Sequence, residues 1–191
     1  MSIKAIIFDF FGVISSEVAP FWFAARYPEG EAKLLKEKYM GPADRGELSK
    51  KELFLSLSEL SGESPERIEA DFLRLAVIDQ ATVLLIRQLS RRYKIILLSN
   101  AQAELLHDIL SRDSLYSLFD ATVISGEEGI VKPSPEIFAL ALSRGGIRAD
   151  EAIFTDDNIK NVKAASSLGI RSVLFEGAGK FRRALIDLGA L

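Results

Sequence analysis

The chain has 191 residues, 48% of them apolar, and a formal net charge of −3. That length suits one core domain plus a modest insertion, and that composition can bury a sizeable core. With no cysteine and one histidine, His107, the sequence excludes disulfides, a thiol nucleophile, thiolate metal sites and a multi-histidine zinc centre. Acids and bases are mixed along the chain, so no basic stripe marks a nucleic-acid groove and no polybasic cluster marks a membrane surface. Met1–Phe8 is too short an apolar run for a signal peptide, and no run approaches membrane-spanning length. These features predict a soluble, cytoplasmic protein without nucleic-acid or membrane partners. They say nothing about oligomeric state.

The first predicted element is a buried strand at Ile3–Phe8. About 85 residues separate it from the next strand, far too many for one crossover helix. Within that interval Glu29–Tyr39, Ser49–Leu60 and Ser64–Leu75 have helical patterns; Ser49 with Glu52 forms a capping box, and Ser64 followed by Pro65 is a helix start. Phe21, Trp22, Phe23 and Tyr27 precede them as candidates for the insertion's own core. A helix over Gln80–Arg91 leads into a second strand, Lys94–Leu98, and Ala121–Ile124 is the third. A helix from Ser134–Pro135 through Arg144, stopped by Gly145–Gly146, precedes a fourth strand, Ala152–Thr155. A helix over Asn158–Leu168, stopped by Gly169, precedes the fifth, Arg171–Phe175. The Gly177–Lys180 stretch lacks the glycine spacing and hydroxyl of a phosphate loop and is predicted to be an ordinary loop.

Short, continuously apolar strands alternating with helices predict an α/β fold: a doubly wound, Rossmann-like parallel sheet of five strands with an inserted helical cap. The expected division is residues 1–14 and 79–191 as core and residues 15–78 as cap. In such sheets the active crevice lies beyond the carboxyl ends of the strands. There the sequence places Asp9 after strand one, Ser99 and Asn100 after strand two, Lys132 in the loop past strand three, and Asp156–Asp157 after strand four. Clustered carboxylates repel unless a cation sits among them, and an all-oxygen ligand set suits Mg2+. A lysine and a metal together can hold a phosphoryl group, and a carboxylate can attack one.

Four stretches, in this order, resemble the haloacid dehalogenase superfamily: IIFDFFGVI, LLSN, Gly129-Ile130-Val131-Lys132-Pro133 and Phe154-Thr155-Asp156-Asp157-Asn158. Asp44-Arg45-Gly46-Glu47-Leu48-Ser49 also resembles a stretch in the small helical cap of one branch. The resemblance covers the whole chain and implies a spatial strand order of 5-4-1-2-3. It implies a magnesium-dependent phosphatase acting on a small phosphorylated metabolite. Asp9 would be nucleophile and metal ligand, the backbone carbonyl of Phe11 a second ligand and Asp157 a third, with Asp156 supporting the metal or its waters. Ser99, Asn100 and Lys132 would hold the phosphoryl group.

Position 11 departs from the family pattern. Most phosphatases of the family carry there an aspartate that protonates the leaving group, and phenylalanine cannot. Two alternatives follow: a 2-haloacid dehalogenase-like hydrolase, whose halide needs no proton, or a catalytically weakened binding or regulatory member. Each site residue also has an ordinary structural reading. Asp9 could be a turn residue, Asp157–Asn158 a helix cap, Ser99 with Gln102 a capping box and Lys132 a surface lysine. His107 is expected to be structural or at the surface. Arg26 and Arg45 are weak candidates for gripping an anionic substrate.

Overall fold

Strands whose every side chain is apolar must be covered on both faces, and that requirement organises this chain. The computed structural model of the protein describes residues 2–191. Strands β1 (Ala5–Phe8), β2 (Lys94–Ser99), β3 (Ala121–Ile124), β4 (Ala152–Asp156) and β5 (Arg171–Leu174) form one sheet in the order β3-β2-β1-β4-β5. Every neighbouring pair is parallel. The order is the expected one.

Alternate side chains of the central strands enter two separate cores. Ile6, Phe8, Ile95, Leu97 and Ile153 face one; Ala5, Ile7, Ile96, Leu98 and Phe154 face the other. Helices α5 (Gln80–Leu89), α6 (Ala103–Arg112) and α10 (Ala178–Asp187) cover the first face with Ile86, Leu106 and Phe181. Beyond the short α7 (Ser125–Glu128), helices α8 (Pro135–Gly145) and α9 (Ile159–Ser167) cover the second with Phe138 and Ala165. Each large side chain buried this way stabilises the fold by roughly 1.5–3 kcal/mol before entropy is counted.

The long interval after β1 holds α1 (Ala19–Ala24), α2 (Glu29–Asp44), α3 (Lys50–Ser61) and α4 (Pro65–Leu75), which pack on one another. Trp22, Phe23, Phe54 and Phe72 are buried at their centre, Trp22 edge-on to Phe23 at 4.9 Å and Phe54 edge-on to Phe72 at 5.4 Å. Phe21 faces outward instead. The chain leaves and re-enters the sheet layer side by side: Ser15 bridges Ile78, Asp79 N–H donates to Ile14 O, and the Ser16 hydroxyl donates to Leu75 O. No helix among the described residues is long and apolar enough to cross a membrane.

Three further local expectations need correction. Helix α2 runs through Gly41-Pro42 to Asp44 instead of stopping at Tyr39. Burial of Met40 and Ala43 holds this last turn, where Pro42 lacks only one hydrogen-bond donor. Gly177 is the N-cap of α10 and not part of a loop, with Lys180 in the first turn pairing with Glu176. Ser99 is the last residue of β2 and caps nothing, whereas the Gln102 side chain caps α6 by accepting from Leu105 N–H.

Candidate active site

The carboxyl ends of β1, β2 and β4 and the loop before α8 bring four polar side chains together. Lys132 is buried and its Nζ lies 2.7 Å from Asp9 Oδ1 and 2.7 Å from Asp156 Oδ2. Asn100 sets the lysine's backbone: its Nδ2 donates to Lys132 O at 2.9 Å and its Oδ1 accepts from Lys132 N–H at 2.8 Å. Asp156 is fully buried, accepting from Lys132, from Asn158 N–H and from Asn161 Nδ2, which donates to both carboxylate oxygens (3.1 and 3.0 Å). Asn161, in the first turn of α9, is a residue that strand-end reading passes over, because it lies on a helix.

Asp9, Asp156 and Asp157 each offer a carboxylate oxygen, all within 4.8 Å of one another; the first two are buried and Asp157 is exposed. Gly12 makes this possible. It has φ +79°, and a Cβ there would lie 2.2 Å from Asp157 Oδ2. Burial pushes the Asp9 carboxyl well above the ordinary range, with Lys132 pulling the other way and Asp156 adding to the rise. Desolvation and then Asp156 raise Asp157. Burial works against the Lys132 ammonium, but the Asp9 and Asp156 carboxylates outweigh it and hold its pKa above the ordinary lysine value.

These groups open onto a cavity of about 470 Å³ between the sheet edge and the helical insertion. Asp9, Phe11, Asn100, Lys132 and Asp157 line it from the sheet side. Glu17, Lys36, Met40, Asp44 and Phe72 line it from the insertion. Phe11 packs edge-on to Phe10 at 5.0 Å and offers the cavity no titratable group. Ser99 is fully buried beside this wall without lining it, and its hydroxyl has no hydrogen-bond partner among the described residues.

Sequence reading did not single out Glu17, Lys36 or Asp44 as site residues. Asp44 does open the stretch that resembled a cap motif; Lys36 and Glu17 carry no local signal. The two arginines proposed instead are used elsewhere. Arg26 bonds Glu63 and Asp71 inside the insertion and stacks over Trp22 at 4.2 Å. Arg45 is exposed and pairs with Glu47. His107 sits at the surface between Tyr116 and Glu127, away from the cavity, as expected.

A doubly wound sheet with a carboxylate–lysine centre and a pair of acids at its strand ends defines an α/β hydrolytic site of a recognisable class. A family model described as haloacid dehalogenase-like hydrolase matches residues 3–169, and the chain belongs to that family. A phosphoserine phosphatase from Thermus thermophilus is 33% identical over 129 residues, covering 63% of this chain and 52% of the relative. The chain spans about half or less of the length of the first curated relatives it matches. A predicted HAD-like family hydrolase from Porphyromonas gingivalis shares the fold over 100% of both chains, with TM-score 0.82 and 24% identity. A HAD family enzyme from Bacteroides thetaiotaomicron, solved in complex with magnesium and inorganic phosphate, is 25% identical with TM-score 0.77, covering 91% of this chain and 94% of its own.

Proposed function

We propose that this hydrolase is a magnesium-dependent phosphatase of small phosphorylated metabolites, with Asp9 as its nucleophile. The observation that carries the reading is the Asp9–Lys132 contact of 2.7 Å at the floor of a cavity, beside two further carboxylates. Three acids within 4.8 Å, two of them with raised affinity for a proton, form a donor set that a hard divalent cation fits. Asp9, Asp157 and the Phe11 carbonyl would hold it, with Asp156 behind them. Bound there, magnesium neutralises phosphoryl oxygens and favours the ionised form of Asp9.

The chain's own residues do the rest. Asp9 attacks phosphorus with the carboxylate oxygen not committed to Lys132. Lys132, held by Asp9, Asp156 and the Asn100 clamp, presents a fixed positive charge to the transferring group. Ser99 would reach a phosphoryl oxygen by rotation about its Cα–Cβ bond, giving its unpaired hydroxyl a partner. Residues 15–78 act as a cap, a reading supported by the paired crossing segments at 14–16 and 77–79 and by the insertion's own aromatic core. A cavity of about 470 Å³ suits a small metabolite, and Lys36 offers its distal end a cation. Two phosphatases among the relatives are 33% and 35% identical where they match and a 2-haloacid dehalogenase 25%, which supports phosphoryl transfer over dehalogenation.

A screen of phosphate monoesters and 2-haloacids, with magnesium and with excess chelator, tests the proposal. Phosphate release that requires magnesium is expected. Halide release without metal, or equal phosphate release in chelator, would overturn it.

A further inference from the structure

We infer that Asp44 is the general acid, and then the general base, of the phosphoryl transfer, replacing from the cap the carboxyl that position 11 lacks. The inference rests on the proposed role of Asp9.

Four carboxyl groups line the cavity: Asp9, Glu17, Asp44 and Asp157. Asp9 is committed to Lys132, and Asp157 belongs to the acid triplet. Burial and then the Asp157 carboxylate raise Glu17, so its proton affinity is tied to that triplet. Asp44, at the end of α2, shares the insertion-side wall with Glu17 and stands apart from Asp9 and Asp157 on the sheet side. Its carboxyl has no hydrogen-bond partner among the described residues, so it is free to bond a substrate oxygen.

Its position is fixed from the core. The Ser125 hydroxyl donates to Asp44 O at 2.5 Å and accepts from Ala101 N–H at 3.0 Å, tying the Asp44 turn to the segment that follows Asn100. Gly46, at φ +72°, lets the turn press against the core: a Cβ there would lie 2.3 Å from Gly126 O. The cap residue is thus latched to the ends of β2 and β3, beside Asn100.

The carboxyl also has suitable proton affinity. Burial first, and then the Glu17 carboxylate, push it up to about 7, against the pull of Lys36, Arg45 and Lys132. It holds its proton near neutral pH and can still release it. In the first step the Asp9 oxygen forms a bond to phosphorus, the bond from phosphorus to the leaving oxygen breaks, and the Asp44 proton goes to that oxygen. In the second step the Asp44 carboxylate takes a proton from water, the water oxygen bonds to phosphorus, and the phosphorus–Asp9 bond breaks. Both carboxyl groups return to their starting states.

The test compares first-turnover rates of native and Asp44→Asn enzyme on 4-nitrophenyl phosphate and on an alkyl phosphate, with phosphorylated Asp9 followed by quench and mass spectrometry. Only the alkyl leaving group needs a proton. The aryl-to-alkyl rate ratio should therefore rise about 10²-fold or more in the variant. Phosphorylated Asp9 should accumulate, because its hydrolysis has lost the base. Asp44→Glu keeps an acid and should recover part of the alkyl rate. In the native enzyme the alkyl first-turnover rate should fall as pH rises through about 7, while the aryl rate does not. That arm needs no variant and holds even if Asp44→Asn folds poorly. An unchanged rate ratio or an alkyl rate flat through that pH range, with phosphorylated Asp9 still forming, overturns the role of Asp44 alone. The same split in Glu17→Gln but not in Asp44→Asn does so too. Absence of phosphorylated Asp9 in either protein overturns the reading of Asp9 itself.

Discussion

Gly12 and Asp157 show how one missing side chain can build a site. The 2.2 Å approach leaves no room for a methyl group, and φ of +79° strains any residue with a Cβ. Gly12→Ala should turn the Asp157 carboxylate away from Asp9 and Asp156 and weaken magnesium binding about 10–100-fold, the usual cost of disturbing a ligand's support. Titration calorimetry on a variant shown to be folded checks this; unchanged affinity would mean that Asp157 is not a ligand. The sequence made Asp9, Asn100, Asp156 and Asp157 legible because they lie at or just past strand ends, and Lys132 because it lies in the loop beyond one, where the parallel topology gathers side chains. Asp44, Lys36 and Glu17 were not legible as site residues. They reach the cavity through the packing of the insertion, and the tilt of one helical group over a sheet is set by tertiary contacts that no local pattern records.

Helix α3 is the element whose limits the sequence states most completely. Ser49 N–H donates to Glu52 at 2.8 Å, Glu52 N–H donates back to the Ser49 hydroxyl at 3.3 Å, and Gly62 closes the helix in the left-handed region. Ser49→Ala should cost about 1 kcal/mol. In a chain of this size that lowers Tm by about 2–4 °C. A thermal melt with unchanged Tm would show that the cap box contributes nothing. Helix α2 is the opposite case. Gly41-Pro42 reads as a stop, yet buried Met40 and Ala43 carry the helix one turn further and so deliver Asp44 to the cavity. Tertiary burial overrode local propensity there, and the overridden turn carries Asp44, whose carboxyl is pushed up to about 7 chiefly by burial. Gly46 has a comparable hidden role: its closeness to Gly126 joins parts of the chain that are remote in sequence.

At the scale of the whole molecule, the sheet order and the two-faced burial follow from the spacing of the apolar runs and the resemblance to one family. The cavity is less local in origin. It exists because α1–α4 fold on their own aromatic centre and return beside their point of departure, leaving a gap over the strand ends. The floor of that gap carries Asp9, Lys132 and the acid triplet and its roof carries Asp44, the groups to which the proposed mechanism gives the roles of nucleophile, fixed cation, metal-binding set and proton donor. The central claim is that Asp9 takes the phosphoryl group covalently. Rapid quench of the enzyme with magnesium and an aryl phosphate, followed by peptide mass mapping, tests it most directly. One phosphoryl group on the peptide carrying Asp9, absent from Asp9→Asn, is the predicted result. Phosphate release without that adduct, at a rate that Asp9→Asn retains, would contradict the account.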